Sequence, residues 1–84
     1  MIALTFTISG YQKGSGVEHI FYASETHETE ADVKKSLDDY VEMQADYAGS
    51  IMNQRDVVLK LGDHFIDCRS YSAMRFTYER RNDD

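Results

Sequence analysis

Ile2-Ala3-Leu4-Thr5-Phe6-Thr7-Ile8-Ser9 alternates apolar with small residues over eight positions without a break. Successive side chains of an extended chain point to opposite sides. This stretch therefore reads as a strand with Ile2, Leu4, Phe6 and Ile8 facing a core and a small, hydroxyl-rich face outside. It decides the fold class, because the rest of the chain must either pair with it or cover it. Gly10-Tyr11-Gln12-Lys13-Gly14-Ser15-Gly16 comes next, and its three glycines supply the positive φ of a hairpin loop. Val17 to Ser24 is the returning strand, rich in β-branched and aromatic residues. Its alternation is poor. Val17, Phe21 and Ala23 fall on one side, Ile20 and Tyr22 on the other, so both faces call for cover.

A helix is expected next. Thr29 is an N-cap residue with Asp32 three positions on, and Glu28 and Glu30 lie beside the positive end of the helix dipole. Val33, Leu37, Tyr40, Val41, Gln44, Tyr47 and Ala48 recur at three and four residues as one apolar stripe, and Gly49 is the expected stop. Roughly 20 residues make a rod about 30 Å long, enough to cross a small sheet. Val57 to Leu61 and His64 to Cys68 flank Gly62-Asp63 and read as a second hairpin. Ile51, Arg55, Val58, Leu59 and Ile66 also fit a helical period, which leaves a short second helix within 50–62 as the alternative. In the last strand, Ala73 to Arg80, Met74, Phe76 and Tyr78 share one face and Arg75, Thr77 and Glu79 the other, before a polar tail over 81–84. The expectation is a single α+β domain over 1–84 in the order ββαβββ. A mostly antiparallel sheet would carry one long amphipathic helix packed on one face.

Composition supports a folded domain. Hydrophobic residues at 42% and charged residues at 29% are ordinary globular usage. A lone cysteine, Cys68, excludes an internal disulfide and fits a reducing compartment. No apolar run approaches the roughly 20 residues that span a bilayer, and Met1 to Phe6 lacks a basic leader, so the expectation is cytoplasmic with no membrane partner. The net charge is −6, and residues 1–46 hold nine acids against three bases while 47–84 are balanced. Such a surface repels phosphates and attracts basic partners.

The candidate chemistries are few. Gly10-x-x-x-Gly14-x-Gly16 lacks the Gly-Lys-Ser/Thr ending of a phosphate loop and joins two strands. His64 and Cys68 share a strand face but stand about 13 Å apart, too far for one ion, so no metal or cofactor is expected. Cys68 with His64, Asp63 and Asp67 is too short a span for a catalytic triad, so no enzyme is expected either. Arg69, Tyr71, Arg75, Phe76, Tyr78, Arg80 and Arg81 interleave bases with aromatics, the pattern of a single-strand nucleic-acid binder, but the net charge opposes it.

The acidic helix carries the most weight. Glu30 with Lys34, Lys34 with Asp38, and Lys35 with Asp39 are conventional i,i+4 pairs. Asp38, Glu42 and Asp46 instead repeat like charge at i,i+4,i+8, and Asp39 adds an i,i+3 repulsion to Glu42. Glu42 and Asp46 are also expected near the negative end of the dipole. Local rules broken together mark a functional surface. The plainer explanation is a solvated face, neutralised by Arg69 or Arg75 from elsewhere in the fold. The functional reading assigns Asp38, Asp39, Glu42 and Asp46, with Glu28 and Asp32, to a basic site on a target protein, one that binds nucleic acid. In size and charge the chain is similar to small acidic phage-type inhibitors, including anti-CRISPR and restriction-blocking proteins, and no motif carries that likeness. A homodimer through the uncovered sheet face is the alternative, with Ala3, Thr5, Thr7 and Ser9 beside Val17, His19 and Phe21, or through an exposed edge strand. Weak binding of single-stranded nucleic acid by the last strand is the third reading.

Overall fold

β1 (Ile2–Gln12) is the middle strand of a three-stranded antiparallel sheet, between β2 (Glu18–His27) and β5 (Tyr71–Asn82). The computed structural model describes residues 1–82. Leu4, Phe6 and Ile8 are buried while the residues between them are only partly covered, as the alternation requires. The register then fixes both neighbours. Ile8 lies opposite Phe21 and Phe76, and Phe6 opposite Ala23 and Tyr78. His19, Phe21 and Ala23 therefore share the core side of β2 and belong to no open face. Ile20 and Tyr22 take the outer side, and Val17 lies ahead of the strand. β5 continues through Asn82, so Arg81 and Asn82 are strand and not tail, and the rest of the expected tail lies outside the described residues.

Near its start β5 carries a bulge. Ser9 pairs with Arg75 and Tyr11 with Ser72, so Ala73 and Met74 together face Gly10. Ala73 sits at φ +53°, where glycine is the usual occupant. A Cβ on Gly10 would lie 3.0 Å from Met74 Cγ and 3.1 Å from Tyr71 Cβ, so the missing side chain on β1 makes room for the bulge.

α1 (Glu30–Met52) opens as expected: the Thr29 hydroxyl accepts the Asp32 N–H at 3.2 Å. It runs past Gly49. Asn53 donates its N–H to the Gly49 carbonyl and Arg55 to the Ser50 carbonyl, each at 3.0 Å, and Gln54 between them adopts φ +53°. This is a Schellman ending with glutamine in the left-handed position that glycine usually fills. Gly49 serves packing instead, since a Cβ there would come within 3.2 Å of the Arg55 guanidinium. With α1 continuing to Met52 and a loop after it, no separate helix forms within 50–62.

α1 lies along β5 and antiparallel to it. Glu30 grips Arg80 through two hydrogen bonds, and the Tyr40 hydroxyl lies 2.8 Å from the carbonyl oxygens of both Thr7 and Thr77. Further along, the Tyr47 hydroxyl accepts the Met74 N–H at 3.3 Å. Tyr40 also packs on Phe6, with ring centroids 4.5 Å apart, and on Phe76.

β3 (Val58–Leu61) and β4 (His64–Asp67) form their own two-stranded sheet and do not extend the main one. Gly62 turns between them at φ +57°. The hairpin folds over β2 beside α1. A Cβ on Gly62 would sit 3.1 Å from Ala23 Cβ, and His64 stacks edge-on against Phe21 at 5.4 Å. Leu59, Leu61, Ile66 and Cys68 complete a core with Leu4, Phe6, Ile8, Val33 and Tyr40. Helix and hairpin thus share one side of the three-stranded sheet. The opposite side is uncovered by any described residue.

The helix is rolled from the stripe read in the sequence. Val33, Leu37, Tyr40 and Tyr47 face inward, but Val41, Gln44 and Ala48 are exposed, and Ser36, Met43 and Ser50 take their places. At 3.6 residues per turn this is a rotation of about 60°. On the inward flank Ser36 meets His27 of β2 and Met43 packs on the core that the hairpin completes, while the opposite flank is left bare.

Candidate interaction surface

Thr29 starts the helix that displays the acids, and the inward tyrosines fix which way they point. Glu28, Asp32, Asp38, Asp39, Glu42 and Asp46 are all exposed. Asp38 is held by Lys34 at 2.7 Å, as its spacing implied. Glu30 takes Arg80 from β5 in place of Lys34. Its carboxyl is held below the usual range by those hydrogen bonds against the opposing pull of desolvation. Lys35 and Asp39 form no ion pair among the described residues. Asp39, Glu42 and Asp46 likewise form no ion pair among them, though Lys60 lines the same cavity as Asp39.

Neither arginine offered as an internal neutraliser reaches them. Arg69 pairs with Asp56 at 3.2 Å, and Arg75 stands opposite Ser9 on the far side of the sheet. The helix dipole matters less than the sequence implied. Because α1 ends at Met52, Glu42 and Asp46 lie outside its last turn, where the dipole no longer acts strongly. Like-charge repulsion along Asp38, Glu42 and Asp46 remains.

The arginine–aromatic set of β5 is divided by the strand. Arg75 and Arg81 are on the open face beside Ser9 and Ala3, while Phe76, Tyr78 and Arg80 oppose Ile8, Phe6 and Leu4 on the core side. Tyr71 turns inward, 3.1 Å from His19 Nδ1 and edge-on to Phe21. A stacking platform needs bases and rings on one face, and these are on two.

Two sets of reactive side chains also meet. Burial, with Asp67 and Asp46 adding to it, pushes the Cys68 thiol up, opposite to the shift of an activated nucleophile. His64 packs edge-on against Phe21. Glu25, His27 and Ser36 form a cluster that sequence spacing did not reveal, because it joins β2 to α1. His27 Nε2 lies 2.9 Å from Glu25 Oε1 and 3.1 Å from Ser36 Oγ. For Glu25, burial raises the carboxyl, but hydrogen bonds from Ser36 and His27 outweigh it and hold the group below its ordinary range. Acid and hydroxyl address the same ring nitrogen. A triad needs the hydroxyl at one ring nitrogen and the acid at the other, so this cluster ties β2 to α1 without that arrangement.

Among the described residues no three His, Cys, Asp or Glu side chains converge as metal ligands, and no helix is long and apolar enough to cross a membrane. The chain matches no family model, no curated protein and no solved structure.

Proposed function

We propose that the outer face of α1 binds a basic surface on another protein, and that the protein is a non-enzymatic inhibitor that occupies a nucleic-acid-binding site by imitating its charge. One observation supports this above others. Asp39, Glu42 and Asp46 stand exposed and form no ion pair among the described residues, while Lys34, Arg69 and Arg80 are each committed to a different carboxylate. A face kept only for solubility gains nothing from concentrating repulsion on one helix. A face that meets lysine and arginine turns the repulsion into charge-assisted hydrogen bonds. Residues four apart present a carboxylate about every 6 Å along the axis, a ladder that flexible cationic side chains can follow.

Competition tests the reading. A partner captured on the immobilised protein should be released by added double-stranded DNA or RNA, and the free protein should displace nucleic acid from that partner. A partner that holds this protein and nucleic acid at the same time would contradict the inhibitor reading.

A further inference from the structure

β5 is an edge strand whose sequence is complementary to itself. Arg75-Phe76-Thr77-Tyr78-Glu79, paired antiparallel with a second copy about Thr77, sets each Arg75 against the partner's Glu79 and each Phe76 against the partner's Tyr78. Within one chain Arg75 and Glu79 are four strand residues apart, about 13 Å, and neither forms an ion pair among the described residues.

The hydrogen-bond phase agrees with that register. The Tyr40 hydroxyl touches the carbonyls of Thr7 and Thr77 together, so both point into the gap between β1 and β5. Backbone groups alternate along a strand, so those of Phe76 and Tyr78 point outward, where each can exchange bonds with the other's counterpart. Moving the centre to Tyr78 would oppose Arg75 to the partner's Arg81. Moving it to Glu79 would set two glutamates face to face.

The bare flank of α1 lies on this same side. By helical spacing Val41, Ala48 and Met52 fall on the flank of α1 away from Ser36 and Met43 and are exposed, Val41 at 63% and Met52 at 83%, and Tyr78 of β5 is 54% exposed. The acid at the start of that flank, Glu30, is already paired with Arg80, while Asp38, Asp39, Glu42 and Asp46 point up or toward the hairpin. Tyr40 places the helix between β1 and β5. With strands about 4.8 Å apart, a two-fold axis beside β5 brings the two helices to about 10 Å, the distance of packed helices. Val41 sits next to Tyr40, which lies over Thr77, so it would meet its own counterpart.

We infer that the protein forms a two-fold dimer through β5 and the Val41–Met52 flank of α1, making a six-stranded sheet with both acidic faces on one side. Such a dimer is independent of the partner those acids bind.

Sedimentation equilibrium of the full chain from about 1 to 100 µM tests it. The wild type should give twice the 9.7 kDa monomer mass. Arg75→Glu and Glu79→Arg each set like charges opposite one another at two symmetric places, and each should weaken dimerisation about tenfold or more. Both reversals in one chain should restore it to within about threefold, since the pairs cross between copies. Amide exchange at Phe76 and Tyr78 should slow as concentration rises. A monomer at every concentration overturns the inference. So does a dimer indifferent to the single reversals, which would use the open sheet face, and so does a double variant that stays monomeric.

Discussion

Replacing Tyr40 by phenylalanine removes one oxygen and keeps the ring that packs on Phe6 and Phe76. That oxygen joins the helix to two strands at once, donating its single proton between the Thr7 and Thr77 carbonyls. Both carbonyls are acceptors in strand pairing as well, so neither is orphaned by the change. The cost should therefore sit near that of one buried hydrogen bond, about 1–1.5 kcal/mol. For a domain of this size that corresponds to a fall in Tm of roughly 5–10 °C.

The loss carries a pH signature. Burial pushes the Tyr40 hydroxyl up to about 12, against about 10 in the unfolded chain. A group raised in this way gives its full contribution below the unfolded value and loses it as pH rises through the folded one. Linkage over that window removes roughly 2 kcal/mol from the wild type, and the phenylalanine variant has nothing to lose there. Urea unfolding at pH 7 and at pH about 11.5 should show the wild type ahead at the first and level with the variant or slightly behind it at the second. Equal stability at pH 7, or a gap unchanged at high pH, would refute the anchoring role of Tyr40.

Glu42→Lys relieves repulsion with Asp39 and Asp46 and should stabilise the protein by about 0.5–1 kcal/mol in low-salt urea titrations, a gain that shrinks in about 1 M salt. A destabilised variant would mean that Glu42 has a stabilising contact inside the fold. Ala73→Gly and Gln54→Gly remove left-handed strain worth about 1–2 kcal/mol and give back about 0.5–1 in chain entropy. Each should raise Tm by a few degrees, and a fall at Ala73 would argue against the bulge. Gly62→Val forces a side chain onto Ala23 at a φ it cannot easily adopt, and should cost about 2–3 kcal/mol. The hairpin should then lift, and Cys68, protected in the wild type, should react faster with a thiol reagent. Unchanged labelling would place the hairpin elsewhere.

The first strand was fully legible, because Ile2 to Ser9 states its face in a period of two. So was the start of α1, where the Thr29 cap is a local event. The roll of the helix was not. Val41 and Ala48 are as apolar as a core residue must be, and only the tertiary contacts of Ser36 with His27 and of Met43 with the core show which flank is buried. The end of the helix misled for a similar reason: Gly49 has the ordinary stop residue, while the turn that ends the helix uses Gln54. In β2 the apolar residues Ile20 and Phe21 are neighbours, so only its register with Ile8 could say which one points inward. Of the proposed surface, the acids were visible as a charge pattern. The lack of a neutralising arginine was not visible, since Arg69 and Arg75 are placed by tertiary contacts.

If the acids of α1 are a binding surface, capture from a cell lysate will depend on them. Immobilised wild type should be compared with an Asp39→Lys, Glu42→Lys, Asp46→Lys variant at about 50 mM and about 500 mM salt. A basic protein should be held by the wild type at low salt, released at high salt and missing from the variant. The same proteins on both surfaces at either salt would contradict it.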